Sequence, residues 1–271
     1  MTRSTVDDVE DPRLADYRHL NDADLRRAHD EAAGVCIGEG EIVLRTAVEV
    51  GADVRSVLVS EKRLDALGDV LARLDDRHAD VLVAPQDLLE QIVGFRLHRG
   101  VVAVIGRPRP RSLDEVVGDA DRVLVVEGVN DHENLGALLR NAAGLGAGAV
   151  VADPTTADPL YRRAIRVSMG NALRVPWHRA TAWPATLDEL VGLGFVLAAL
   201  TPSGTDLSAV DLAEIDRLAL LVGAEGPGLS DGALTRADHR LAIPMAAGVD
   251  SLNVATAAAI ALHAARPPQT G

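Results

Sequence analysis

The chain has 271 residues, a formal net charge of −13, 48% hydrophobic and only 2% aromatic residues, a length and make-up that predict two domains with aliphatic cores. No apolar run approaches the ~18 residues of a membrane span, and the single cysteine, Cys36, excludes an intrachain disulfide and a cysteine-based metal site. The eight histidines lack ligand spacing, and His132-Glu133 begins like a zinc-protease motif that no second histidine completes, so a soluble, cytoplasmic, metal-free protein is expected.

Residues 1–31 are acidic without sustained periodicity and read as a lead-in segment, with a short helix over 20–33 capped by Asn21 or Asp22. Helices over 41–50, 64–74 and 85–93 then alternate with strands over 54–60, 80–83 and 101–105, which predicts a small α/β domain over 32–106. Arg107-Pro-Arg-Pro-Arg111 interrupts every periodicity and places a linker at 107–117. In the second α/β domain, 118–267, continuous apolar runs at 123–126, 149–151, 196–200 and 218–222 suit a parallel sheet covered on both faces. Its helices are expected at 135–145, 161–167, 187–191 and 254–265. Glycines 144, 146 and 148 mimic a dinucleotide-binding fingerprint, but they end a helix and lead into a strand, the reverse of what that fingerprint requires.

Three segments carry candidate chemistry. Asn130-Asp-His-Glu-Asn134-Leu-Gly136-Ala-Leu-Leu-Arg140 follows a strand and opens a helix, with Asn134 as the expected N-cap and Gly136 and Arg140 on one helix face. Leu221-Val-Gly223-Ala-Glu225-Gly226-Pro-Gly228 is a strand running into a glycine-rich turn, where Glu225 disfavours a triphosphate and suits a cationic ligand. Ile243-Pro244-Met245-Ala-Ala-Gly248-Val-Asp-Ser251-Leu252-Asn253 joins a short strand to an Ala-rich helix that Ser251 or Asn253 is placed to cap, and its small apolar residues suit the wall of a flat, partly apolar cofactor.

In this order and wording the three segments resemble the three motifs of the SpoU (TrmH) family of RNA ribose 2′-O-methyltransferases, within the SPOUT superfamily. The resemblance covers residues 124–265, including Ser168-Met-Gly170 and Val175-Pro176, and residues 39–106 look more loosely like the family's ribosomal-protein-like RNA-binding domain. The resemblance implies a SPOUT-type parallel sheet with a C-terminal trefoil knot, S-adenosylmethionine as cofactor, and a homodimer whose site takes residues from both subunits. Position by position, Gly223, Ile243 and Leu252 match the cofactor contacts, with Leu200, Thr201 and Met245 as additional wall. Asn134, Arg140, Glu225, Ser251 and Asn253 match the polar active-site positions. The chain departs from the family wording at His132 and Glu133, where proline often stands, at Asn141 for threonine, and at Ala247 for glycine.

The implied reaction is methyl transfer to a ribose 2′-hydroxyl of structured RNA, with ribosomal RNA ahead of transfer RNA. A guanidinium, with pKa above about 12, is a poor base and a good phosphate clamp, so Arg140 is expected to orient the RNA backbone and stabilise the developing oxyanion. Ser251 and Asn253 are expected to hydrogen-bond substrate or Arg140, and Glu225 to hold that network. The acidic balance counts against nonspecific RNA binding and leaves two local clusters, Arg107, Arg109, Arg111 and Arg162, Arg163, Arg166, as RNA contacts or as solvated surface. A catalytically silent RNA- or ribosome-binding protein is the competing reading. An oxidoreductase would rest on the misplaced glycines alone.

Overall fold

The computed structural model of the chain describes residues 3–75, 79–97, 99–249 and 251–266, so Asp250 of the third segment and the extreme ends of the expected lead-in and catalytic domain lie outside it. Two compact units form: Met1–Arg109 with Leu160–Arg174, and Pro110–Pro159 with Val175–Gly271.

The first unit contains β1 (Arg3–Thr5), α1 (Ala23–Ala33), β2 (Val35–Glu39), α2 (Glu41–Glu49), β3 (Val54–Ser60), α3 (Gly68–Asp75), β4 (Asp80–Ala84), α4 (Gln86–Val93) and β5 (Val101–Gly106). Its five-stranded sheet runs β1-β4-β3-β5-β2, with β5 antiparallel to both neighbours and the other pairs parallel. The acidic start of the chain is part of this unit, not a lead-in: β1 pairs with β4, and Val6, Leu14, Tyr17 and Leu20 are buried in its core. Tyr17 shares a 2.7 Å hydrogen bond with Ser56 Oγ. Asp22, not Asn21, caps α1, accepting from Leu25 N at 3.0 Å.

The helix expected over 161–167 in the catalytic domain is α7 (Arg162–Val167), which packs instead with this first unit, as does a further short helix, α8 (Asn171–Arg174). Arg162 donates to Glu39 Oε2 at 2.6 Å with its guanidinium 4.5 Å from the Phe95 ring centroid, and Arg166 pairs with the same carboxylate at 3.6 Å. Thr46 Oγ1 donates to Met169 O, and Gly170, at φ +82°, leaves no room for a Cβ beside Thr46. Two of the arginines read as candidate RNA contacts are thus engaged in holding this segment.

The second unit contains α5 (Leu113–Val117), β6 (Arg122–Glu127), α6 (His132–Leu145), β7 (Ala149–Ala152), β8 (Trp177–Arg179), α9 (Ala185–Gly192), β9 (Val196–Asp206), β10 (Leu218–Gly223), α10 (Asp231–Arg236), β11 (His239–Ala242) and α11 (Val254–Ala264). Its six strands run β11-β9-β10-β6-β7-β8, every pair parallel. The apolar runs read from the sequence are the buried central strands, Val123–Val126 and Leu218–Val222 among them. The later part of the expected linker is ordered, because Ser112 and Glu115 form a reciprocal capping box that starts α5. Gly146 ends α6 in the left-handed conformation. The buried Arg122 guanidinium donates to Ala265 O (2.7 Å), Ala213 O (3.0 Å) and Asp216 O (3.0 Å), tying the end of α11 to the connection between β9 and β10.

Candidate active site

In an open parallel sheet, ligands bind outside the carboxyl ends of the strands, where neighbouring strands send their connections in opposite directions. Here that point lies between β6 and β10, which are hydrogen-bonded neighbours with Gly223 in register with Glu127. From β6 the chain proceeds to β7 on one side, and from β10 to β11 on the other. The first two motif segments are the loops leaving these two strands, so they emerge side by side.

Each loop is held in place by local hydrogen bonds. After β6, Gly128 turns at φ +71° and its N–H donates to Asp153 Oδ1 at 2.8 Å. Asp153 is buried at the end of β7; burial raises its pKa, but hydrogen bonds from Gly128 N and from the Thr155 and Thr156 hydroxyls and amides outweigh it and hold the carboxyl below its ordinary value. Asp131, not Asn134, is the N-cap of α6, its Oδ1 accepting from Glu133 N and Asn134 N, both at 2.8 Å. Asn134 lies three residues inside the helix, which frees its amide for other contacts. His132 stands at the first helical position, where a proline fits because no N–H is needed there. After β10 the loop folds back over its own strand: Gly228 N donates to Ala224 O, and a Cβ on Gly223 would lie within 2.4 Å of the Gly228 and Leu229 backbone. Only glycine is accommodated at 223.

The third segment brings these loops together through one side chain. Asn253 is the N-cap of α11, its Oδ1 accepting from Ala255 N (3.0 Å) and Thr256 N (3.3 Å). Because two helix N–H groups require an acceptor, the amide orientation is fixed and Nδ2 must face away. Nδ2 donates to Asn134 Oδ1 at 2.7 Å and to Glu225 Oε1 at 2.8 Å. With its oxygen committed, Asn134 presents only N–H donors outward, and Glu225 keeps its second oxygen as an acceptor. Asn141, two turns further along α6, donates to Ala255 O at 2.7 Å and fixes α6 against the first turn of α11.

The structure therefore joins Asn134, Glu225 and Asn253. Arg140 is exposed on α6 and makes no hydrogen bond or ion pair with any described residue, and Ser251 is exposed two residues ahead of the cap rather than capping the helix. Leu200, Thr201, Gly223, Ile243, Met245 and Leu252 are all half-buried. The β9–β10 ladder ends at Ala199–Leu221, so Leu200, Thr201 and Gly223 come just beyond it, and Ile243 follows the last residue of β11. Among the described residues no group of three or more His, Cys, Asp or Glu gathers to hold a metal ion, and no helix is long and apolar enough to cross a membrane. Sequence reasoning missed Asp131 and Asp153; the first was signalled by an aspartate one position ahead of the helix, the second by Thr155 and Thr156, whose amides and hydroxyls close a turn on its carboxylate.

An α/β unit with a parallel sheet, and with its three motif loops meeting at the carboxyl ends of the central strands, defines the class of protein. The chain matches the SpoU rRNA Methylase family over residues 121–263, and it belongs to that family of RNA methyltransferases. A tRNA/rRNA methyltransferase of Mycobacterium tuberculosis, itself uncharacterised, is 46% identical over 261 residues, covering 95% of this chain and 90% of that protein. The 23S rRNA (guanosine-2′-O-)-methyltransferase RlmB of Acinetobacter baylyi is 33% identical over 191 residues, covering 67% of this chain and 76% of its own. Among solved structures, the SpoU methyltransferase AviRb of Streptomyces viridochromogenes in complex with AdoMet is similar with a TM-score of 0.81 and 25% identity, over 94% of this chain and 97% of that one.

Proposed function

We propose that the protein transfers a methyl group from S-adenosylmethionine to the 2′-hydroxyl of a ribose in structured RNA, ribosomal RNA ahead of transfer RNA. The observation that carries the reading is the bond from Asn253 to both Asn134 and Glu225, one residue from each motif, at the switch point of the sheet. RlmB, named for guanosine 2′-O-methylation of 23S rRNA, and AviRb, solved with AdoMet, support the ribose hydroxyl and the cofactor.

The residues present fit that cofactor. Half-buried apolar side chains of Leu200, Ile243, Met245 and Leu252, with Thr201 and the backbone at Gly223, offer a wall for a flat, partly apolar group, and the Glu225 carboxylate suits a cation better than a phosphate. S-adenosylmethionine supplies an electrophilic methyl group on a positively charged sulfur. The chain's contribution is position: Asn134 offers a directed N–H, Glu225 an acceptor for the ribose hydroxyl, and Ser251 a flexible hydroxyl donor. Arg140 clamps the RNA backbone and stabilises the oxyanion through its planar fork of donors.

Two further expectations belong to this reading. The first unit, which holds residues 32–106, binds RNA as a ribosomal-protein-like domain, and the second unit carries the C-terminal trefoil knot expected within 118–267. The active form is a homodimer, supported by α11, which is apolar nearly throughout and leaves Ile260 39% exposed. Mapping ribose methylation across total RNA from cells with and without the protein tests the reaction: a lost mark names the substrate, and an unchanged map refutes it. Calorimetry with S-adenosylmethionine separates the enzyme from a silent RNA binder, which has no cofactor affinity.

A further inference from the structure

One buried carboxylate has no part in the reaction described above. Glu127, the last residue of β6, is 8% exposed, although it ends a strand at the loop-bearing edge of the sheet. Its Oε1 accepts from Trp183 Nε1 at 2.6 Å and its Oε2 from Ser230 N at 2.9 Å. A carboxylate is retained in such a place only when its oxygens are satisfied, and here the partners are two neutral donors, with no cation among them.

What Glu127 holds is the far end of the loop that carries Glu225. That loop leaves β10 at Gly223, the residue in register with Glu127, doubles back through the Ala224–Gly228 contact, and returns at Ser230, the N-cap of α10. Both ends of the loop are therefore referred to one residue, by backbone register at the start and by the carboxylate at the finish. Glu225, between them, accepts the Asn253 amide that directs Asn134.

We propose that Glu127 is a positioning residue for methyl transfer: by fixing Ser230 it sets where the loop presents Glu225, and through Asn253 it sets the direction of the Asn134 N–H. This rests on the reaction proposed above. Its first readout, however, is independent of that reaction.

The test compares two substitutions of Ser230 in the full chain. Ser230 has φ −66°, so Ser230→Pro fits the backbone while deleting the N–H that binds Glu127; Ser230→Ala keeps that N–H. Both lose the Ser230 Oγ bond to Ala233 N, so their difference isolates the Glu127 contact. The side-chain amide resonances of ¹⁵N-asparagine-labelled protein report Asn134 and Asn253 directly. Ser230→Pro is expected to shift these two signals and Ser230→Ala to leave them unmoved, both measured well below the melting transition, with Ser230→Pro melting lower because one Glu127 oxygen has lost its donor. Turnover follows the same split: kcat falls about tenfold or more in Ser230→Pro alone, with KM for S-adenosylmethionine changed less than about threefold, as expected when geometry and not binding is lost. Asparagine signals that are the same in Ser230→Pro and Ser230→Ala overturn the proposal whether or not the protein methylates RNA. Shifted signals with kcat unchanged keep the mechanical link and overturn its catalytic role.

Discussion

Asn253 performs two tasks with two ends of one amide, and substitution can separate them. Serine caps a helix about as well as asparagine, so Asn253→Ser keeps the bonds to Ala255 N and Thr256 N and deletes the Nδ2 bonds to Asn134 and Glu225. Both lost partners are solvent-accessible and regain water, so the stability cost stays below about 1 kcal/mol, less than about 4 °C in Tm for a chain of this size. The cost to turnover is larger, because Asn134 is free to rotate and Glu225 is no longer aimed; a loss of about 10²-fold in kcat is expected. Asn253→Asp also keeps the cap, but sets an oxygen where Nδ2 faced Glu225 Oε1 at 2.8 Å. Two carboxylates that close raise each other's pKa, so this variant is destabilised relative to Asn253→Ser at neutral pH, and the gap closes as the pH falls through the raised pKa values and one carboxylate protonates. The assay is calorimetric melting of both variants from pH 4 to 8 beside turnover on RNA. Equal melting of the two variants across that range would refute the geometry, and so would full activity of Asn253→Ser.

Arg122→Met strands the buried carbonyl of Ala265 and leaves the part-buried carbonyls of Ala213 and Asp216 to water, and urea unfolding should register a loss of about 2–3 kcal/mol; a loss under about 1 kcal/mol contradicts the anchoring role. Asp153→Ala leaves Gly128 N and the Thr156 amide without their acceptor and should cost about 3 kcal/mol at pH 7. Since the Asp153 carboxyl is held below its ordinary value, its contribution is complete above the unfolded pKa and is lost as the pH falls through the folded one, so the difference from the natural protein should narrow only below about pH 4. Arg140→Lys should lower kcat by about 10²-fold with S-adenosylmethionine affinity retained by calorimetry; near-normal turnover would exclude a specific planar contact.

Buried elements were the most legible in the sequence. The continuous apolar runs at 123–126 and 218–222 carry the signature of strands covered on both faces, and the central strands of the second sheet are there. Short elements were missed where small or polar residues dilute the pattern: β2 contains Cys36 and Gly38, and β8 spans three residues, all half-buried. Site residues came through the wording of the motifs, and physics then altered their local roles. Asn134 reads as a cap because asparagine caps are common, but Asp131 takes that place and leaves Asn134 to Asn253. Glu127, Asp153 and Arg122 were invisible as anchors because the contacts that tie each to another part of the fold, Ser230 for Glu127, Gly128 for Asp153 and Ala265 for Arg122, lie 103, 25 and 143 residues away in sequence. A charged residue at the end of an apolar run looks like the point where a strand meets water, and only the fold reveals that it is covered.

The placement of Leu160–Arg174 within the first unit affects how the chain folds as it is made. The ribosome delivers Arg109 well before it delivers Arg174, so the first unit is missing Arg162, Met169 and Arg174, the partners of Glu39, Thr46 and Glu49, while most of β6, α6 and β7 is being synthesised. At about 5–20 residues per second that interval is on the order of 3–13 s. During it Glu39, Thr46 and Glu49 lack these partners, and the chain of β6, α6 and β7 is made before the first unit is complete. The two halves of the chain are thus completed in an interleaved order, and neither is a separable module of vectorial synthesis.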